Sequence, residues 1–440
     1  MRTRIILLSI AAALGAQAQE PLSLRDAVKM ALTKHPAMEA ATARIQASGS
    51  RVEQARSGLM PQVRYTEMFQ SGNNPVYVFG SLLTQHQFTA DNFALGSLNR
   101  PDPLNNFQSM VTAEQLVYDF GGLRKTIHAA ELGRKISEEE KKSAELMLAA
   151  GTARAYHSVT LATEGLAVAR EALKTAEADQ ARAETIRAAG MATDADVLSI
   201  KVHVASMREQ VIRGQADIRI AQASLNDALG LPLDTEHKLT TALTPAEAGT
   251  LRIENARRPE VEQARLAQEA ASAQAAAAKA GYWPQFFLRG SFEADRQNFA
   301  TKGGANWMFA GGLKWTLFDG NRTRNSVAEA RSMSTAAAAG QRQMESAVQL
   351  QVRRARAEFE SATERIQVTD ATIAQADESL RILRNRYTSG LATVTDLLRA
   401  QTALLDAKVR RLGSIYEQRL AAVAVEQAEG ILNGDSNVLQ

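Results

Sequence analysis

The fold is decided by a stretch that occurs twice: residues 187–198 read RAAGMATDADVL, and residues 386–397 read RYTSGLATVTDL. In each copy a Gly lies six positions before an Asp. Further upstream, Pro61 is matched by Pro284, which is 223 positions later (284 − 61 = 223), and each Pro is followed by Gln. A duplication this long predicts one structural module built twice.

The first residues lie outside this module. Arg2 and Arg4 precede an apolar run, and Ala16 and Ala18 are small residues at the positions that a signal peptidase reads. We therefore expect a signal peptide at residues 1–18. The first structural repeat is then predicted at residues 19–240 and the second at residues 241–440.

Charge and cysteine content narrow the function classes. The formal net charge is +3 at pH 7, and removal of Arg2 and Arg4 leaves +1 (51 − 2 − 48 = +1). This small charge does not predict a nucleic-acid partner. The sequence has no Cys, so we expect an exported protein without disulfides and without a lipid-linked cysteine.

Most of the mature chain has the pattern of very long helices. Val352, Phe359, Ile366 and Ile373 fall seven residues apart, as coiled-coil seam positions do. Helices are predicted at residues 122–189, 193–229, 321–389 and 393–432, with shorter helices before each strand pair. The two longest would each reach roughly 100 Å at about 1.5 Å per residue.

Between the helices the apolar period changes from seven to two. Even positions from Phe286 to Ala294 are apolar or Gly, whereas the odd positions beside them are mostly polar. Such alternation predicts strands with one apolar face, at about residues 62–72, 106–118, 285–296 and 305–317. After the signal peptide no stretch approaches the roughly 20 apolar residues of a spanning helix, so we expect any membrane contact through these strands.

The connection within the first strand pair is the longer one. Pro61 and Gly121 are 60 positions apart (121 − 61 = 60), but Pro284 and Gly320 are only 36 apart (320 − 284 = 36). The turn residues and aromatic side chains of this longer connection predict a surface loop that folds over another part of the molecule or over a partner. Packing over the rim of the same molecule is favoured over contact with a partner.

Four strands are too few to close a barrel around a lumen, and an open sheet edge in lipid leaves backbone groups unpaired. An oligomer removes these edges. The predicted fold is therefore mainly α with a β-barrel portion: duplicated long-helix hairpins form an α-helical tunnel, and each chain adds four transmembrane β-strands. Four strands in each chain permit rings with different numbers of copies.

The sequence resembles the TolC-like family of outer-membrane efflux proteins. The resemblance rests on LRDAV at residues 24–28 before His35-Pro36, on the two Pro-Gln strand starts, on LFDG at residues 317–320, and on the stretch from Arg386 to Gln401. It covers essentially the whole mature chain. It implies a homotrimer with a 12-stranded barrel in outer-membrane lipid and a tunnel that extends into the periplasm.

The resemblance also implies a function. Such proteins are passive conduits that dock onto a periplasmic adaptor protein and an inner-membrane pump of RND or ABC type. One alternative is the outer-membrane component of type I protein secretion. An alternative from another class is a structural periplasmic coiled-coil tether or adaptor. The cargo and the pump class are not predicted by the sequence.

Nothing in the sequence favours catalysis. The six histidines form no pair at metal-ligand spacing, and no nucleophile stands beside a plausible base. Neither Gly-Gly pair at residues 121–122 or 311–312 precedes the Lys-Ser or Lys-Thr of a phosphate loop. We expect no enzyme activity, no cofactor and no metal site. Charged runs such as residues 138–142 are interpreted as solvated helix faces.

The two Gly-to-Asp turns are the candidate functional site. In the family these turns form the periplasmic tip, which carries the gate and the adaptor contact. The candidate residues are Gly190 and Asp196 on the first turn, and Tyr387, Gly390, Asp396 and Arg399 on the second. Compared with the best-known relatives, Ala392 stands where an Arg would be and Arg399 where a second Asp would be. Thr193 and Thr393 are predicted to cap the following helices.

Overall fold

A computed structural model describes residues 21–246, 258–301 and 303–440. They form two compact units. Unit 1 holds the described residues of Met1–Ala41, Lys141–Pro259 and Ser346–Gln440, and unit 2 holds those of Thr42–Glu140 and Glu260–Glu345. Each unit draws on both halves of the chain, so the division at residues 240 and 241 is not a division into compact bodies and stays a prediction of repeats. The predicted signal peptide, residues 1–18, lies outside the described residues.

The same order of elements occurs twice: a helix of about 21 residues, two strands, a helix of 67 residues and a helix of 36 residues. In chain order the elements are β1 (Pro21–Leu22), α1 (Leu24–Lys34), α2 (Pro36–Arg56), β2 (Gln62–Gly72), α3 (Pro75–Thr84), α4 (Leu95–Asn99), β3 (Leu104–Tyr118), α5 (Gly122–Ala188), α6 (Asp194–Leu229), β4 (Lys238–Leu239), α7 (Pro259–Ala280), β5 (Gln285–Arg296), β6 (Gly304–Lys314), α8 (Arg322–Thr388) and α9 (Val394–Glu429).

The seven-residue pattern marks the buried side of the long helices. On α8, Phe359, Ile366, Leu380 and Tyr387 are all buried. Alanines three residues after a seam position, such as Ala362, are buried as well, which lets neighbouring helix axes approach closely. Among the described residues, no helix is both long enough and apolar enough to cross a membrane.

The last helix ends earlier than predicted. It was expected to reach residue 432, but α9 ends at Glu429 because Gly430 adopts φ +77°, a left-handed conformation. The N–H of Gly430 donates to the Gln427 carbonyl at 3.0 Å, and that of Ile431 donates to the Glu426 carbonyl at 3.0 Å. These two bonds close the helix as a Schellman motif does.

The four long strands of unit 2 form one antiparallel sheet in the order β2-β3-β5-β6. Pairing places Val63 opposite Ala113, and Ala113 opposite Gly290. Because alternate residues point to opposite faces, one face is mainly apolar and the other mainly polar, although Glu67 and Arg296 form an ion pair on the apolar face at 3.3 Å. Strands β2 and β6 are the two edges of this sheet in the single chain.

The final strand is three residues shorter than predicted. It was expected to end at residue 317, but β6 ends at Lys314, which pairs with Gln285 at the start of β5. The residue before Gln285 is Pro284, which has no N–H to donate to a continuing ladder. The start of β3 also differs from the prediction. Strand β3 begins at Leu104 and not at residue 106, because Leu104 still pairs with Gly72.

Each long helix is started by an Asp that follows the strand before it. The Asp119 carboxylate accepts the N–H of Leu123 at 2.6 Å, and the Asp319 carboxylate accepts the N–H of Thr323 at 2.8 Å. Between the Asp and the helix the backbone turns through residues with positive φ, Gly121 at +85° and Gly320 at +67°. Glycine accepts this conformation without a steric penalty, which accounts for the Asp-x-Gly and Asp-Gly sequences there.

The core of unit 1 is built around Tyr156. Its hydroxyl donates to the Leu22 carbonyl at 2.8 Å and accepts the N–H groups of Thr240 at 3.2 Å and Thr241 at 2.9 Å. These bonds tie the short β1–β4 ladder to α5. Aliphatic residues of α1, α6 and α9 complete the cluster, including Leu24, Val28, Leu225, Leu229, Val423 and Val425.

His157, the residue after Tyr156, is a buried titratable residue whose pKa is shifted by its surroundings. Its ring is fully buried, and neither ring nitrogen has a hydrogen-bond partner among the described residues. Burial, and secondarily the nearby Arg419 guanidinium, lower the pKa of His157 from 6.5 to about 4. The imidazole is therefore neutral at pH 7, because a charged ring there would be neither solvated nor paired.

We expect unit 1 to lose stability as the pH falls from about 6.5 to about 4. The unfolded chain takes up a proton on His157 in this window and the folded chain does not, which costs about 3 kcal/mol. Replacing His157 by Leu should remove this part of the pH dependence. Guanidinium unfolding in detergent at several pH values measures it, with His128→Leu, at a half-exposed imidazole, as the control. Parallel curves for the parent and H157L would contradict the expectation.

Candidate functional site at the two helix turns

The two turns joining α5 to α6 and α8 to α9 have the same backbone geometry. Gly190 has φ +78° and Gly390 has φ +72°. The N–H of Gly190 donates to the Arg187 carbonyl at 2.8 Å, and that of Gly390 donates to the Tyr387 carbonyl at 3.0 Å. Any residue with a Cβ would be strained at these two positions, so both predicted glycines have a structural reason.

Both candidate aspartates take part in helix caps. The Asp196 carboxylate accepts the N–H of Thr193 at 3.0 Å, while the Thr193 hydroxyl accepts the N–H of Asp196 at 3.2 Å. Asp396 and Thr393 exchange the same two bonds, each at 3.2 Å. These are capping boxes with Asp in the place of Glu. The sequence reasoning gave the caps to the threonines alone and missed the part played by the carboxylates.

The pKa of Asp396 lies below its usual value. The main causes are the side-chain and backbone hydrogen bonds from Thr393, with smaller contributions from the charges of Arg399 and Arg386. The carboxylate is thus charged at neutral pH and held in one orientation. A fixed negative charge of this kind can repel or attract ions that pass close to it.

Arg399 is exposed and forms no ion pair with Asp396 within 4.0 Å. It acts on that carboxylate only through its charge. The spacing of three residues on one helix would allow these two side chains to pair directly, but the pair is not formed in the single chain. The equivalent position on the first turn, nine residues after Gly190, is Ser199, which is also exposed.

Tyr387 is the candidate residue that joins the two hairpins. Its side chain is 9% exposed and packs in one cluster with Ala183, Val197 and Leu397, so it contacts residues from both turns. Its hydroxyl is buried and has no hydrogen-bond partner among the described residues. Burial raises the pKa of Tyr387, and the charges of Asp196 and Asp179 raise it further.

The two turns differ in what holds them. At the first, Arg187 and Asp194 form an exposed ion pair at 2.5 Å. The corresponding positions of the second turn, counted from its Gly, hold Tyr387 and Val394, and both are buried. Surface ion pairs contribute little to stability, so the second turn is the one anchored in the core.

A buried carboxylate that the sequence reasoning missed lies behind these turns. Asp179 on α5 pairs with Arg182 at 2.8 Å and with Arg384 on α8 at 3.2 Å. It also accepts a hydrogen bond from the Gln401 amide on α9. Three of the four long helices are therefore joined by one side chain. No sequence pattern around Asp179 indicates these contacts, because Arg384 and Gln401 are 205 and 222 residues away in the chain.

A cavity of about 160 Å³ opens beside this carboxylate. Its apolar wall includes Met207, Leu380 and Leu405, and its polar wall includes His203 and Arg384. Burial lowers the pKa of His203. Within the described ranges, no three His, Asp or Glu residues are grouped so that they could hold a metal ion, and the expectation of no cofactor stays a prediction.

Comparison with known proteins assigns the family. A sequence model of the family described as Outer membrane efflux protein matches residues 27–231 and 251–430. The chain belongs to that family. Among curated relatives, outer membrane protein OprJ of Pseudomonas aeruginosa is 28% identical over 358 residues, which cover 76% of this chain and 72% of OprJ.

Solved structures agree on the fold. A membrane protein from Pseudomonas aeruginosa matches with a TM-score of 0.80 at 23% identity, covering 94% of this chain and 91% of that one. The outer membrane protein VceC from Vibrio cholerae matches with a TM-score of 0.77 at 20% identity, covering 92% and 96%. These comparisons confirm the predicted resemblance to TolC-like channels and the mainly helical fold. They also confirm the predicted role in efflux and the predicted location in the outer membrane. The family is one of channels and not of enzymes.

Removing the carboxylate of Asp179 should loosen the helices. In Asp179→Ala, the Arg384 and Gln401 side chains lose their shared acceptor, and we expect the free energy of unfolding to fall by roughly 2 to 4 kcal/mol. Guanidinium unfolding in detergent, followed by circular dichroism, measures the loss. The matched control is Asp377→Ala, which removes an exposed carboxylate from α8. Equal losses in both variants would show that Asp179 contributes no more than a surface charge.

Charge at the second turn should set ion selectivity. Arg399→Asp replaces a positive charge beside Asp396 with a negative one, so we expect stronger cation selectivity and stronger block by divalent cations. The measurement is the reversal potential of single pores under a salt gradient. Ser199→Asp serves as the control because it adds one negative charge at the equivalent place on the first turn. An unchanged potential in R399D pores, with assembly intact, would show that this turn does not line the narrowest part.

Proposed function

We propose that this member of the outer membrane efflux protein family is one protomer of a passive conduit. Three copies would close a 12-stranded barrel in outer-membrane lipid, and their long helices would form a tunnel through the periplasm. A periplasmic adaptor and an inner-membrane pump of RND or ABC type would supply both cargo and energy. The chain itself would provide only the path.

The observation that carries this proposal is the sheet of unit 2 with its two contrasting faces. Most of the large side chains on one face are apolar and strongly exposed in the single chain, up to 79% for Trp307. The members of this face include Val63, Tyr65, Phe69, Val111, Phe286, Leu288, Phe292, Trp307, Phe309 and Leu313. An exposed apolar surface of this extent is stable in lipid and not in water.

The opposite face carries the groups expected of a water-filled lumen. Arg64, Thr112 and Ser291 lie on it in register, and Arg289 forms an ion pair with Glu114 at 2.6 Å. A barrel whose interior is polar and whose exterior is apolar matches the alternation of outer-membrane strands. This arrangement supports the assignment of the polar face to the lumen.

The edges of the sheet support an oligomer. Within the part of the chain that the structure describes, β2 pairs only with β3, and β6 only with β5. Within lipid each unpaired backbone group costs several kcal/mol, and pairing of β6 with β2 of another copy would remove both edges. The number three is the one consistent with the family.

The long helices also leave an apolar surface uncovered. On α6, Leu198, Val202, Ile212 and Ile220 are all exposed in the single chain, and their spacing places them on one side of the helix. Packing against helices of a second copy would bury this stripe, as knobs of a coiled coil are buried. The stripe therefore supports a tunnel wall made from several chains.

We place the gate and the adaptor contact at the two turns. Gly190, Asp196, Gly390 and Asp396 form matched turns whose backbones and carboxylates are fixed, whereas Arg399 is free to change the local field. Tyr387, together with Asp179 behind it, holds the two hairpins to one another. Opening of the entrance would require these contacts to rearrange. A secretion-type conduit or a coiled-coil tether has no observation in its favour here.

A single charge on the apolar face should block assembly. In Phe292→Arg the guanidinium would face lipid near the middle of β5, which costs about 2 to 4 kcal/mol per chain. The matched control is Ser291→Arg, one residue earlier on the same strand but on the polar face, where the charge would meet water. We expect heat-modifiable trimers and bilayer pores from the parent and S291R, and neither from F292R.

Other outcomes count against the proposal. If the parent chain ran as a monomer in mild detergent and gave no conductance in planar bilayers, the conduit would be wrong. If F292R assembled normally and S291R failed, the two faces would have been assigned the wrong way round.

A further inference from the structure

The chain between β2 and β3 is folded, and it is held against one face of the sheet. Helix α3 contacts β3, β5 and β6. Phe79, Phe88 and Phe93 pack edge to face, with ring centroids 4.6 Å apart for Phe79 and Phe88 and 5.1 Å apart for Phe88 and Phe93. Residues 75–99 therefore form a small body with its own aromatic core, which we call the lid. In the single chain the lid packs against its own sheet; packing over a barrel rim stays a prediction.

Gln85 is the first of two pins between the lid and the sheet. Its side-chain amide donates to the Asn105 carbonyl and to Asn106 Oδ1, both at 2.9 Å. Asn106 in turn donates to Asp295 Oδ1 at 2.6 Å. Gln85 is 1% exposed and Asp295 is 0% exposed, so this chain of polar groups is shielded from water and joins the lid to β3 and β5.

The second pin is on β6. The Asn306 side chain donates to the Thr84 carbonyl at 3.1 Å, and its Oδ1 lies 3.4 Å from His86 Nε2. Next to it, Gly304 lets the lid backbone come close: a Cβ at this position would lie 1.9 Å from the Thr84 carbonyl oxygen. Only glycine leaves room for that contact.

The sheet residues in these pins all lie on the polar face. Asn106 pairs across the sheet with Gln70, Asp295 pairs with both Gln108 and Gly304, and Asn306 pairs with Glu293. None of them belongs to the apolar face that carries Phe292 and Trp307. The lid thus lies over the polar side of the sheet, at the end of the strands away from α2 and α5.

We propose that the lid narrows the outer mouth of the pore and limits the size of what can pass. This inference rests on the proposed function, since the polar face is the lumen only if the sheet closes into a barrel. Each copy would then place a helix, about 10 Å across with its side chains, against the inner wall. The lid would contribute an outer constriction that is distinct from the two helix turns.

Two atoms make the lid able to lift. Gln85 Oε1 and Asp295 Oδ2 are buried without a hydrogen-bond partner among the described residues. Buried polar atoms without partners are costly, so lifting the lid would return both atoms to water. The hydrogen bonds of the pins favour the closed lid, whereas the two buried atoms without partners favour an open one. A movable constriction requires such a balance.

Thiol labelling can test the lid without interference from the inner gate. The sequence has no Cys, so Ser291→Cys places a single thiol on the polar face of β5, below the lid. Intact cells are treated from outside with a small impermeant maleimide and, separately, with a 5 kDa polyethylene glycol maleimide. The readout is the ratio of the two labelling rates, which the state of the inner entrance does not affect.

Loss of the pins should admit the large reagent. In Gln85→Ala/Asn306→Ala, and independently in Gly304→Val, we expect the ratio of large-reagent to small-reagent labelling to rise roughly tenfold, because the hydrogen bonds of the buried Gln85 and of the half-buried Asn306 are lost. The matched control is Ala305→Val, which adds bulk one residue along β6 on the apolar face. It should leave the ratio unchanged.

The outcomes separate the lid from the conduit. If the small reagent labels S291C and the ratio is the same in the parent, both unpinned variants and the control, the lid does not limit passage and the inference is overturned. If the small reagent fails to label S291C in assembled protein even in the two unpinned variants, the polar face is not the lumen, and the proposed function fails with it.

Discussion

Helices of this length cannot bury an apolar seam alone, and the structure depends on four of them sharing one. Small residues make the sharing possible: Ala176, Ala183, Ala362 and Ala400 are all buried between helices. Close approach of the axes then brings polar side chains from distant parts of the chain within hydrogen-bonding range. Asp179 can join α5, α8 and α9 only because the seam has already placed them side by side.

Much of the fold was predictable from the sequence because it is encoded locally. The seven-residue period located the long helices, and the two-residue period located the strands, since each period reflects which side of an element is buried. Element ends were less predictable. The ends of α9 and β6 depend on a left-handed Gly430 and on a pairing partner that stops at Pro284.

For the two candidate turns, the sequence predicted where the turns lie better than it predicted their hydrogen bonds, and their functional role stays a prediction. The Gly-to-Asp spacing marked both turns, and Thr193 and Thr393 were expected to act as caps. The carboxylates proved to complete those caps, a role that follows from the spacing of three residues between Thr and Asp. Asp179 was not predictable in the same way, because its partners are distant in sequence. The pins of the lid were missed for the same reason. His157 was missed because its burial follows from tertiary packing.

The equal helix lengths in the two repeats have a consequence for how this chain can vary. Helices α5 and α8 both have 67 residues, and α6 and α9 both have 36. One residue added to α5 above Asp179 would turn that carboxylate by about 100° and move it by about 1.5 Å relative to Arg384. Insertion or deletion of a single residue in one long helix would therefore break the contact between Asp179 and Arg384. The contacts between the long helices thus depend on the exact length of each one.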